Sequence, residues 1–97
     1  MNTNPISIDY SDAMLRILVE EYITMQCKEF TFRGVCDFVL YRAMEEGRTA
    51  GQALYESNEL IQQDQERVRC VLSKIENEGR IKKDILSDYG NYNKSIE

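Results

Sequence analysis

The chain has 97 residues, a net charge of −5, 42% hydrophobic and 30% charged side chains, one proline and no histidine. At this length a single domain with a modest core is expected, one that buries about 60% of the unfolded surface. The composition excludes a disordered chain, the lack of ~18 consecutive apolar residues excludes a membrane-spanning helix, and the missing histidine removes the usual general base near neutral pH.

Residues 1–9 read as a loose lead-in, and Met1 to Asp9 has neither the basic nor the apolar region of a signal peptide. A first helix is expected from Asp9 or Ser11, because Asp9 and Asp12 place negative charge at a helix N-terminus in a capping-box-like spacing. Leu15, Leu18, Tyr22 and Met25 form its apolar stripe, widened by Val19 and Ile23, while Glu20 and Glu21 fall off it. Lys28 to Phe32 alternates with the period of a strand, with Phe30 and Phe32 directed to one side. Such a short strand needs a partner elsewhere.

A second helix is expected over Arg33 to Glu46, ended by Gly47. Val35, Phe38, Val39, Tyr41 and Met44 give it a broad apolar surface, flanked by Cys36 and Leu40. The stretch 48–62 holds Ala50, Ala53, Leu54, Leu60 and Ile61, too many apolar residues for a free loop. It reads as a helical insertion of one or two short turns, with Ser57 or Asn58 as an N-cap. Asp64 to Glu78 is the clearest helix: Val68, Val71, Leu72 and Ile75 fall at i, i+3, i+4 and i+7, and Gly79 supplies the left-handed cap. Arg80 to Leu86 alternates as a strand, Ser87 to Asn91 is turn-rich, and Tyr92 to Ile96 is a returning strand.

Charge is unevenly spread: residues 1–62 hold five basic and ten acidic side chains, whereas 63–97 hold seven of each. Any surface that meets an anion therefore belongs to the last third. The cysteines, Cys27, Cys36 and Cys70, are odd in number and widely spaced, which fits a reducing, cytoplasmic setting rather than a disulfide framework. With no CxxC pair and no histidine, no metal site and no cofactor are expected. The five glycines are scattered, so no phosphate-binding loop is present. Glu20 and Glu21 are adjacent on a helix and cannot face each other, and Glu45 and Glu46 read as solvated; no enzymatic apparatus is expected.

The stretch Val68 to Lys83, with its valine–leucine–isoleucine stripe, Glu78, Gly79, Arg80, Ile81, Lys82 and Lys83, resembles the third helix and first wing strand of winged helix-turn-helix domains. The order helix, short strand, helix, helix, hairpin is similar too. The resemblance implies a mainly α fold with a small β-sheet, three helices plus a C-terminal β-hairpin wing, in which Ile81 closes the core and Phe30 to Phe32 supplies the third strand. The insertion at 48–62 departs from that pattern, and the residues alone also allow an all-helical bundle with an unpaired tail.

In that family the third helix commonly enters the DNA major groove. At about 100° per residue, the outward face of this helix carries Gln63, Glu66, Cys70, Ser73 and Asn77, with Arg67 and Lys74 on one flank and Arg69 on the other. The resemblance implies phosphate contacts from Arg67, Arg69, Lys74, Lys82 and Lys83 and base contacts from Ser73 and Asn77. Each has a plainer reading: the helix cations as a solvated face, Lys82 and Lys83 as protection of an edge strand. Two functions remain open at this point. One is a non-enzymatic interaction module that self-associates or docks a protein through its acidic first and apolar second helix, with no membrane role. The other is a sequence-specific, dimeric regulator binding double-stranded DNA.

Overall fold

The computed structural model describes residues 4–50, 58–84 and 90–94. Its elements run β1 (Asn4–Ile8), α1 (Asp12–Met25), β2 (Glu29–Thr31), α2 (Phe32–Glu45), β3 (Thr49–Ala50), β4 (Asn58–Leu60), α3 (Gln62–Asn77), β5 (Ile81–Lys83) and β6 (Asn91–Lys94). The fold is mainly α with small β-sheets, three helices followed by a β-ribbon, and is compatible with the winged-helix-like arrangement.

Each helix begins and ends for a local reason. Ser11 is the N-cap of α1 and its Oγ accepts from the Met14 N–H at 3.2 Å. Thr31 closes β2 and caps α2, its Oγ1 accepting from the Gly34 N–H at 2.9 Å. Both α2 and α3 end in a Schellman motif. Gly47 and Gly79 adopt positive φ (68° and 80°), and the N–H groups of Arg48 and Arg80 reach back to the carbonyls of Ala43 and Ile75. The capping residue of α3 is Ile61, which makes no side-chain cap bond.

The core is one cluster. It takes Leu15, Leu18, Val19 and Ile23 from α1, Val35, Cys36, Val39, Leu40 and Ala43 from α2, and Val68, Val71, Leu72 and Ile75 from α3. The expected stripes hold with two rotations. Met25 ends α1 outside the core at 61% exposure, and α2 buries Cys36 and Leu40 while Tyr41 and Met44 face outward. The α2 hydrophobics cover more than half a turn, so periodicity fixes a helix without fixing which edge is inside.

One sheet has the order β2-β6-β5, all antiparallel. Phe30 and Tyr92 are cross-strand partners with rings stacked 5.4 Å apart, and Ile81, paired with Lys94, is 2% exposed. Phe32 does not share the strand with Phe30: it is the first residue of α2. Residues 85–89 and 95–97, where the rest of the two expected strands and the turn would fall, lie outside the described residues.

The second sheet, β3-β1-β4, was not expected. Residues 4–8 are not a loose lead-in: β1 pairs antiparallel with β3 and parallel with β4, and Ile6 and Ile8 are buried. The described ends of the insertion, Thr49–Ala50 and Asn58–Leu60, are strands rather than helical turns, because β1 is there to pair with them. Asn58 is accordingly a strand residue and not a helix cap. The middle of that insertion, 51–57 with Ser57, lies outside the described residues.

A buried carboxylate ties this sheet to α3. Asp64 is 4% exposed; its Oδ2 accepts the Ile8 N–H at 3.0 Å and its Oδ1 accepts from Arg67 at 3.1 Å. Arg67 also donates to Asp12 Oδ1 and to the Tyr10 carbonyl. The end of α3 is held by a second network: Arg16 forks onto Glu78 at 2.6 and 2.7 Å, and Glu20 accepts from both Arg16 and Arg80.

Candidate nucleic-acid interface

The outer face of α3 carries Gln63, Glu66, Cys70, Ser73 and Asn77, all exposed, as the wheel predicts. Its flank toward α2 carries Arg69, Ser73 and Glu76. This flank, the start of α2 and the β5–β6 ribbon enclose a cleft of about 410 Å³. Phe32 and Tyr92 wall it; Arg33, Arg69 and Lys83 supply cations, Ser73 a hydroxyl and Glu76 a carboxylate.

Arg69 is held in place. Its guanidinium lies 4.4 Å from the centre of the Phe32 ring and is paired with Glu66 at 2.5 Å. Guanidinium has five donors, and among the described residues Glu66 takes one of them. Arg33 is 90% exposed and only 3.9 Å from Asp37. Glu76 accepts the Lys83 backbone N–H at 3.2 Å, which fixes β5 against α3. Burial pushes the Tyr92 phenol pKa up, and Glu76 nearby pushes the same way.

The sequence-derived candidates separate into three groups. Arg69, Ser73 and Lys83 meet at the cleft. Lys74 and Asn77 are exposed on α3, Lys74 on the flank opposite Arg69, and Lys82 is exposed on β5 and does not line the cleft. Arg67 does not join them: its guanidinium is committed to Asp12, Asp64 and the Tyr10 carbonyl, so it acts as an internal strut. Arg33 was missed. A signal for it exists: the first turn of α2 holds no acidic residue and carries an arginine at its second position, against the preference set by the helix dipole.

Ion pairing sorts the cations. Arg16, Arg42, Arg48, Arg67 and Arg80 pair with carboxylates away from the cleft, whereas Lys74, Lys82 and Lys83 have no carboxylate within 4.0 Å among the described residues.

The other reactive groups are quiet. The three cysteines are unpaired; Cys36 is buried, and burial, helped by Asp37, pushes its thiol up to about 12. Among the described residues there is no group of three His, Cys, Asp or Glu able to hold a metal ion, and no helix long and apolar enough to cross a membrane. No protein-family model, curated protein or solved structure matches this chain.

Proposed function

We propose that the chain is a non-enzymatic, winged-helix-like binding module of the cytoplasm that docks on duplex DNA through α3 and the β5–β6 ribbon. The observation that carries this reading is the meeting of Arg33, Arg69 and Lys83 at one cleft beside an exposed helix whose far flank holds Lys74. Arg69 and Lys74, on opposite flanks of α3, suit phosphates on the two sides of a groove, with Ser73 and Asn77 between them facing base edges. Lys82 adds a cation from the ribbon.

The overall charge of −5 argues against nucleic acid only if it is spread evenly. Here five arginines neutralise carboxylates elsewhere. Glu66 and Glu76 remain on the face and keep binding weak, so five cations set an upper bound on its salt dependence. At −0.9 per phosphate contact the log–log slope is at most about −4.5.

Fluorescence anisotropy of a labelled mixed-sequence duplex between about 50 and 200 mM salt tests this. Binding should weaken steeply with salt and vanish in the Lys82→Glu/Lys83→Glu variant, whose circular dichroism stays native. No binding at about 50 mM salt, or binding indifferent to salt and to that variant, overturns the reading.

A second reading, docking of a protein rather than DNA, is favoured by a different observation: Met14, Ile17, Met25, Tyr41 and Met44 are large apolar side chains left 37–62% exposed on α1 and α2.

A further inference from the structure

We infer that the outer face shared by α1 and α2 is where a second copy of this chain docks. Met14, Ile17, Glu21 and Met25 recur at i, i+3, i+7 and i+11, one exposed stripe along α1. Phe38, Tyr41, Arg42 and Glu45 recur at i, i+3, i+4 and i+7 along α2. Arg42 joins the stripes. It forks onto Glu21 at 2.7 and 3.4 Å and lies 5.3 Å from the centre of the Phe38 ring. The result is one largely apolar surface with an ion pair at its middle and a carboxylate, Glu45, at its edge. Arg42 links the two stripes, so these exposed hydrophobics flank one ion pair rather than standing singly.

The charges on this face select the occupant. Arg42 is the cation of the two stripes, two of its five donors are turned to Glu21, and its side chain is still 29% exposed. Glu21 is 42% exposed and retains acceptor capacity. A two-fold axis near the pair brings each Arg42 against Glu21 and Glu45 of the other copy, so the surface complements itself in charge as well as in apolarity. Nucleic acid meets an excess of carboxylate here. Met14 and Met25, unbranched and adaptable, let the two apolar halves settle against their symmetry mates.

The inference does not rest on DNA binding, and its test uses the full chain without DNA. Sedimentation equilibrium from about 1 μM to about 1 mM should show the mass rising from the 11.3 kDa monomer toward twice that value. Amide chemical shifts should move with dilution in α1 and α2 and not in α3 or the ribbon. Ile17→Glu and Tyr41→Glu lie on the surface and should keep the native melting curve, each weakening association at least about tenfold. A wild-type chain that stays monomeric at about 1 mM overturns the inference. So does a dimer whose concentration-dependent shifts lie outside α1 and α2, or one that both variants leave intact.

Discussion

Replacing Asp64 by alanine tests the link between the β3-β1-β4 sheet and α3. The carboxylate is 4% exposed and satisfies two groups, the N–H of Ile8 at 3.0 Å and one arm of Arg67 at 3.1 Å. Ile8 is itself 5% exposed, so in Asp64→Ala its N–H loses its acceptor where water does not reach. An unsatisfied buried donor costs about 1–3 kcal/mol. Arg67 loses less, because Asp12 and the Tyr10 carbonyl still accept from it and 27% of its side chain reaches solvent. A total of roughly 2–4 kcal/mol is expected, a large share of the ~5–15 kcal/mol that stabilises a domain of this size. Thermal unfolding followed by circular dichroism should drop by about 10–25 °C, at roughly 4–8 °C per kcal/mol. Asp64→Asn keeps a carbonyl acceptor and should lose about half as much. Hydrogen exchange should speed first at Ile8 and its neighbours in β1. An Asp64→Ala protein within ~0.5 kcal/mol of wild type would refute the reasoning, since it would mean the Ile8 N–H finds another acceptor or β1 is not held by α3.

Gly79→Ala should cost roughly 1–2 kcal/mol through its φ of 80° alone, because nothing lies within 4 Å of the added Cβ. A gain in melting temperature there would contradict the left-handed cap. Gly34→Ala should cost about 1–3 kcal/mol by overpacking, since its Cβ would collide with the Tyr22 hydroxyl and come within 3.3 Å of Tyr22 Cζ. Tyr22→Phe in the same chain should recover much of that loss in chemical denaturation. On acidification, the Arg80 hydrogen bond holds the Glu20 carboxyl below its ordinary 4.5, with burial opposing and Arg16 assisting. Its stabilisation is therefore present above that value and lost as the pH falls through the lower folded value, and Glu20→Gln should flatten the acid limb of stability against pH. On the alkaline side, burial and the Glu46 hydrogen bond push Tyr10 from 10.0 up to about 12. Its contribution should be complete below 10.0 and fade toward about 12, a loss that Tyr10→Phe abolishes.

The helices were legible because each carries its own signals. Val68, Val71, Leu72 and Ile75 form a clean stripe, and Gly47 and Gly79 stand where the chain must turn left-handed. Ile81 and Tyr92 also alternate as strands should, and both are buried. The β3-β1-β4 sheet was harder because its partners are remote: Ile6 meets Leu60 across more than fifty residues, and strands of two to five residues carry little periodicity of their own. The alternation Pro5, Ile6, Ser7, Ile8, Asp9 was nonetheless a strand signal. Its apolar members are the buried ones. At the candidate site, a helical wheel placed Arg67 and Arg69 on opposite flanks correctly. It could not say that Asp12 and Asp64 would capture the first while Phe32 would support the second, because those neighbours belong to other turns and other elements.

The same distinction decides what the net charge means. An acidic chain can present a face of available cations when its arginines are consumed as struts. Arg67 ties α3 to the start of α1, Arg16 and Arg80 tie its end to α1, and Arg42 ties α2 to α1. Each strut also buries or half-neutralises a carboxylate that would otherwise repel an anion approaching α3. The lysines are left at the periphery, where their compact, strongly hydrated charge is least costly to leave unpaired. The arrangement therefore separates two jobs by side-chain chemistry: planar, multi-donor guanidinium groups hold helices together, and lysines on α3 and β5 stay open to solvent. Arg69 and Arg33 break that division, and they are the two arginines at the cleft. Guanidinium there, one over the Phe32 ring and one 90% exposed, offers the planar, multi-donor chemistry that the proposed docking on phosphates calls for.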